Sequence, residues 1–285
     1  MSRTGAAARH PRSGALDDRE PVQVQLNRAQ PGAMDLALSS SEAVPLSLMG
    51  VFGHPDDEAL LAGGRLAQHA AQGARTAVVT ATWAPGTHRA AELGDALRIL
   101  GAGAPRLLGY ADLWIPESAP GRPRLCDAPL EEAVGQVVAH LRDFRPDIVV
   151  THDALGNLSG HRDHRRTHQV TMLAVLASGL EYLYPEAGAP WRPRFVEFAT
   201  HPRSAVGDLG PLLSGADKPV LSVADEQVTS TLDVTPWVEH KWRAILAHRS
   251  QLERERPLPS LLSRLDEEAR NRILATEHYI RISLP

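Results

Sequence analysis

From Pro45 onward, short apolar runs alternate with longer stretches in which apolar residues recur every three or four positions. That alternation is the pattern of βαβ units around a parallel sheet. The run "LSLMGVF" (46–52) predicts a first strand. The stretch from Asp57 to about Gln72 predicts a helix, with Leu60, Leu61 and Leu66 inward and Gly73 as its stop. "RTAVVTATW" and "RLLGY" predict the next two strands, separated by a helix over "THRAAELGDALRILGA". In "LEEAVGQVVAHLRDF", Val134, Val137, Val138 and Leu141 fall at helical spacing. "DIVVTHD" then predicts a fourth strand running into His152 and Asp153, and "RRTHQVTMLAVLASG" the helix behind it. After Gly179 the pattern loosens, with strands expected at "RFVEFAT" and "TSTLDV". A proline-initiated helix over "PWVEHKWRAILAHRSQ", a helical stretch from Pro259 to Thr276 and the segment "HYIRIS" complete the chain.

Residues 1–43 lack this periodicity and mix Ser, Gly, Pro, Arg and Ala, so they are expected to be a disordered tail before a single domain over 44–285. Within the tail, "VQVQL" (22–26) alternates like a strand but stands alone. A hydrophobic content of 43% suits a globular core, and a net charge of -4 with mixed signs gives no footprint for nucleic acid or for an anionic membrane. Cys126 is the single cysteine, which excludes an internal disulfide and a multi-cysteine metal site. It has no neighbouring base in the sequence and is read as inert. No signal-like apolar core and no run of about 18 apolar residues occurs, so a soluble, cytoplasmic protein is expected.

Chemistry concentrates in two places. "VFGHPDDEALLAGG" leaves the first strand and at once presents His54, Asp56, Asp57 and Glu58. Four titratable groups within five positions repel one another and resist burial unless water or a cation compensates them. Helix capping accounts for the carboxylates but not for His54. The second cluster, "GHRDHRRTH", follows the fourth strand and carries His161, Asp163, His164 and His168. Both clusters fall at carboxyl ends of strands, where open parallel sheets bind ligands. His54, Asp57 and His164 make a two-histidine, one-carboxylate set, suited to a catalytic zinc with an open position for water. Fe(II) suits the same set. Such a metal brings the pKa of its water toward about 7, and Asp56 is placed to take the proton. His161 is the candidate to stabilise a developing oxyanion, with Asp163 or Asp153 expected to hold it protonated. His168 reads as a partly buried structural histidine, and Trp83, Trp114 and Trp191 as packing or sugar-stacking residues. No G-x-G-x-x-G follows the first strand, which excludes a nucleotide-binding Rossmann domain.

"GHPDDEALLAGGRLAQHAAQGARTAVVTAT", followed about a hundred residues later by "GHRDHRRTH", resembles the LmbE/PIG-L family of zinc-dependent N-acetylglucosaminide deacetylases, nearest to its mycothiol-pathway deacetylases and amidases. "AELGDALRILGA", "RPDIVVTHD", "KWRAILAHRSQ" and "EHYIRI" also resemble family segments, in the same order. The resemblance implies a Rossmann-like three-layer α/β/α fold with a mostly parallel sheet and a smaller C-terminal strand and helix portion. It implies His54, Asp57 and His164 as zinc ligands, Asp56 as base and His161 as acid and oxyanion stabiliser, and it points to Arg89 and Asp112 as sugar contacts; the alternative for Arg89 is an exposed helix residue paired with Glu92. Arg162 departs from the family's usual proline, and Ser159 stands where mycothiol-type enzymes have tyrosine. The expected function is therefore deacetylation of an N-acetylated amino sugar, a mycothiol precursor or a glycosylated secondary metabolite. A mycothiol-conjugate amidase and a non-catalytic sugar-binding protein with a structural metal are the alternatives. The expected partner is a small amino sugar, and the sequence leaves oligomeric state open, a homo-oligomer included.

Overall fold

The computed structural model describes residues 45–213 and 220–285; the expected tail over 1–43 and its "VQVQL" segment lie outside them. In chain order the described elements are β1 (Leu48–Phe52), α1 (Asp57–Ala71), β2 (Thr76–Thr82), α2 (His88–Ile99), β3 (Arg106–Tyr110), α3 (Leu130–Phe144), β4 (Ile148–His152) and α4 (Arg162–Ser178). They continue with β5 (Phe195–Thr200), α5 (Arg203–Leu213), β6 (Ser230–Asp233), α6 (Val238–Ala247), α7 (Arg249–Leu252), α8 (Leu258–Ser263), α9 (Glu267–Leu274) and β7 (Thr276–Ser283).

The strands form one sheet in the order β3-β2-β1-β4-β5-β7-β6. The first five are parallel, and β7 and β6 extend the β5 edge in antiparallel register. Every residue of β1, β2 and β4 is buried, as expected of strands covered on both faces. The pleat sends Met49 and Val51 to one face, against Val137 and Val138 of α3 and Val170 of α4. Leu48 and Phe52 go to the other, against Leu66 of α1, Leu93 of α2 and Ile245 of α6. The result is the expected Rossmann-like three-layer α/β/α arrangement with a C-terminal extension.

Several boundaries move. The helix behind β4 begins at Arg162, capped by His161, so His164 and His168 both lie on it. The helix expected over 236–251 breaks at His248 (φ -80, ψ 61) into α6 and α7. α5 was not expected, because "RSAVGDLGPLL" carries two glycines and a proline, poor helix formers on intrinsic propensity. Among the described residues no helix is long and apolar enough to cross a membrane.

Candidate active site

β1 and β4 are neighbours, yet the chain leaves β1 toward β2 on one side and returns to β4 on the other. This is the topological switch point of the sheet, where the loops after two adjacent strands diverge and leave a crevice. Gly53 opens the first loop. A side chain there would meet the rings of His164 and His152 and the Asp57 carboxylate at 3.1–3.4 Å, so only glycine lets these groups close on the strand end.

Three donors converge over that glycine. His54 Nδ1 and His164 Nε2 are 3.1 Å apart, Asp57 Oδ2 is 3.4 Å from the first, and Asp57 Oδ1 is 3.3 Å from the second. Two atoms bound at about 2.05 Å to one tetrahedral zinc are separated by about 3.3 Å, so the spacing of these donors fits such an ion. The charges fit as well. Asp57, Asp112 and Asp163 all lie within 3.4 Å of the His54 ring nitrogens. Burial opposes charge on His54, but hydrogen bonds with Asp163 and Asp57 outweigh it and push the pKa up to about 10. Burial likewise works against ionised Asp57, and His164 and His152 outweigh it, holding the carboxyl well below the usual range. Positive charge at this point comes either from a proton or from a cation in its place.

The other edge of each ring is fixed. Among the described residues His54 Nε2 faces carboxylate acceptors, Asp163 Oδ2 at 3.2 Å and Asp112 Oδ2 at 3.3 Å, so it carries the proton and leaves Nδ1 bare for a metal. His164 Nδ1–H donates to the Gly156 carbonyl at 3.2 Å, leaving Nε2 bare. Burial holds this imidazole well below its usual pKa, in the neutral form a metal requires. His152 is stacked on His164, with centroids 4.1 Å apart and planes 8° from parallel. Its Nε2 accepts the Gly53 N–H at 2.9 Å and its Nδ1–H donates to Asn157 Oδ1. That lone pair is already used, so His152 is packing behind the site and not a ligand.

Asp56 sits beside the triad with φ 122 and ψ -25, and Arg89 donates to its Oδ1 at 2.8 Å and to the Pro55 carbonyl. Burial raises the Asp56 pKa against the pull of Arg89. His161 Nδ1 accepts the Asp163 N–H at 3.2 Å, which puts the imidazole proton on Nε2. The site opens into a cavity of about 250 Å³, walled by Arg89, Asp112, Trp114, His161, Arg254 and Leu258 among others. Trp114 stands at its rim with 68% of its surface exposed.

A family model described as GlcNAc-PI de-N-acetylase, PIG-L, matches residues 49–175. The 1D-myo-inositol 2-acetamido-2-deoxy-alpha-D-glucopyranoside deacetylase of Rhodococcus erythropolis is 34% identical over 239 residues, covering 72% of this chain and 81% of its own length. The chain belongs to the PIG-L family. The deacetylase of the same description from Rhodococcus jostii is 33% identical over 270 residues, covering 82% of this chain and 91% of its own. Among solved structures, the N,N'-diacetylchitobiose deacetylase of Pyrococcus horikoshii superposes with a TM-score of 0.59 at 19% identity, over 83% of this chain and 84% of that one. The A40926 pseudoaglycone deacetylase superposes with a TM-score of 0.55 at 21% identity, over 85% of this chain and 99% of that one. These two share the PIG-L fold.

The PIG-L match spans both clusters, and the fold brings His54, Asp56, Asp57, Arg89, Asp112, His161 and His164 to one cavity. Two expectations are corrected. His161 is not held protonated: burial and the neighbouring His54 push its pKa down to about 4, because Asp163 spends Oδ2 on His54 and the Leu113 N–H. Asp153 does not reach His161 either; its oxygens accept from the Asn157 N–H at 2.8 Å and the Thr200 hydroxyl at 2.7 Å, which brace the loop under His152. Arg89 is 4% exposed and bound to Asp56, so it faces the cavity only with the edge that Asp56 leaves free. Asp112 accepts from the Trp114 and Ile115 N–H groups through Oδ1 and turns Oδ2 to His54. Sequence reasoning missed His152 as packing beneath the site. The signal for it was its place as the last residue of a buried strand at the switch point. His168 donates to the His152 carbonyl at 2.9 Å and packs on Phe198, as a structural histidine does.

Proposed function

We propose that this chain is a zinc-dependent hydrolase that removes the acetyl group from an N-acetylated amino sugar. The observation that carries this reading is the convergence of His54 Nδ1, Asp57 and His164 Nε2 within 3.1–3.4 Å, with the carboxylate of Asp56 alongside. The PIG-L relatives named as deacetylases of an inositol-linked acetamido sugar support the substrate class.

Zinc held by these three residues would supply Lewis acidity, polarising an amide carbonyl and acidifying water at neutral pH. The remaining steps belong to the chain. Asp56, with Oδ1 committed to Arg89, has Oδ2 to accept the proton of the attacking water. As the carbonyl oxygen gains charge, the His161 Nε2–H donates to it; the Asp163 N–H on Nδ1 keeps the proton on that side. When the carbon–nitrogen bond breaks, the proton taken by Asp56 passes to the leaving amine, and acetate and the free amino sugar result. Arg89 and Asp112 present the polar groups that orient sugar hydroxyls in the cavity, and Trp114 gives an apolar surface at its rim.

Purified protein loaded with zinc is expected to release acetate from N-acetylglucosaminyl-inositol or a related acetamido sugar. Asp56→Asn is expected to lower kcat by about 10²- to 10⁴-fold with zinc content unchanged. Cleavage of a thiol conjugate in preference to the acetamido sugar would favour the amidase alternative, and full activity in Asp56→Asn would remove the proposed base.

A further inference from the structure

Asp56 is the N-cap of α1, yet it does not cap: its φ of 122 lies far from the extended conformation of an ordinary cap, and its side chain accepts no helix N–H. A residue with a side chain in that region is strained and persists only where its surroundings over-determine it. The surroundings are specific. The Asp56 C=O accepts the Leu60 N–H at 3.1 Å, its Oδ1 is held by Arg89, and its N–H donates to Glu58 Oε2 at 2.9 Å. The last of these fixes rotation about N–Cα, which is φ itself.

Glu58 is fully buried, and its other oxygen accepts from His248 Nε2 at 2.7 Å; His248 is fully buried too. His248 stands at the break between α6 and α7, 190 positions away in sequence. The corner after it is tied to α2, since the Ser250 N–H and hydroxyl both donate to Glu92, at 2.8 and 2.7 Å. A carboxylate and an imidazole removed from water are costly unless they serve each other, and here the pair ends on the backbone of the proposed base.

We infer that Glu58 and His248 are positioning residues: together they hold the backbone of Asp56 in its left-handed conformation and so aim its carboxylate away from the helix and toward the zinc site. The inference rests on the reading of Asp56 as the proton acceptor, and it extends the working site to the α6–α7 corner at His248.

Crystal structures and kinetics of variants test it. In His248→Ala, Asp56 relaxes to a negative φ and kcat falls about 100-fold, while zinc content and KM stay at the parent's values. Glu58→Met, which keeps the volume but loses the acceptor, does the same, so the result does not depend on one variant folding. His248→Gln, whose amide N–H can still donate to Glu58, keeps kcat close to the parent's. Glu58→Gln does so as well, because His248 Nδ1, without a hydrogen-bond partner among the described residues, can take the imidazole proton and free Nε2 to accept. An Asp56 φ that stays positive in His248→Ala overturns the inference, as does equal loss in the Ala and Gln variants. Asp56→Asn assayed in parallel separates the two readings: if it keeps kcat, the base assignment fails; if it loses kcat and His248→Ala does not, only the positioning role fails.

Discussion

At His54 one imidazole has three carboxylates within 3.4 Å of its nitrogens. His161, a few ångströms away with ring centroids 4.7 Å apart, is held neutral and turns its N–H outward. His161→Ala is therefore expected to lower kcat/KM about 10²-fold or more with zinc content unchanged, measured by acetate release and metal analysis. Cys126 gives a second residue-level expectation. Burial, then the Asp163 carboxylate that accepts its S–H at 3.1 Å, push its pKa up to about 12. The thiol fraction ionised at pH 8 is then about 10³-fold below that of a free cysteine, so alkylation by iodoacetamide should be about that much slower than in the denatured chain. The triad was legible in the sequence because its residues stand out chemically, a histidine and adjacent carboxylates after one strand and a histidine cluster after another. His152, Glu58 and His248 were not legible in these roles, because His152 meets the Gly53 N–H and His248 meets Glu58 only once the fold brings distant segments together, and apolar periodicity does not show that Glu58 turns back to the Asp56 N–H.

At the scale of elements, α1 is not one regular helix. Ala62 departs to φ -144 and ψ 15, and the N–H groups of Gly64 and Arg65 donate to Glu277 of β7 at 2.9 and 3.0 Å. Lys241 of α6 completes the cluster, with Nζ 2.7 Å from the same carboxylate. The two glycines of "LAGGRL" let this happen, since a methyl group on Gly64 would come within 2.4 Å of Val234 Cβ. Gly64→Ala should destabilise the fold by about 1–3 kcal/mol, read as a fall of several degrees in melting temperature, and trimming Val234 to Ala should not restore it, because the contacting Cβ stays. The buried strands were legible because continuous apolar runs of that length have few other uses. The break at His248 was hidden, because apolar spacing continues across it and tertiary hydrogen bonds of Glu58 and Glu92 overrule local propensity.

For the whole molecule, topology does the assembling: β1 and β4 are adjacent only in the folded sheet, and their two loops supply donors more than a hundred positions apart. The βαβ order of the core and the place of the site at its strand ends were readable in advance. The addition of β7 and β6 as an antiparallel edge was not, because the residue pattern of a strand carries no sign of its direction. Because the donor set forms in the folded state, zinc at about 100 times its dissociation constant should add about 2.7 kcal/mol to the free energy of unfolding, and a chelator should remove that increment. The most direct measurement is anomalous scattering at the zinc edge from crystals grown with zinc. The expected result is a single strong peak about 2.0–2.2 Å from His54 Nδ1, His164 Nε2 and an Asp57 oxygen; no peak there, or a peak held by other side chains, would contradict the account.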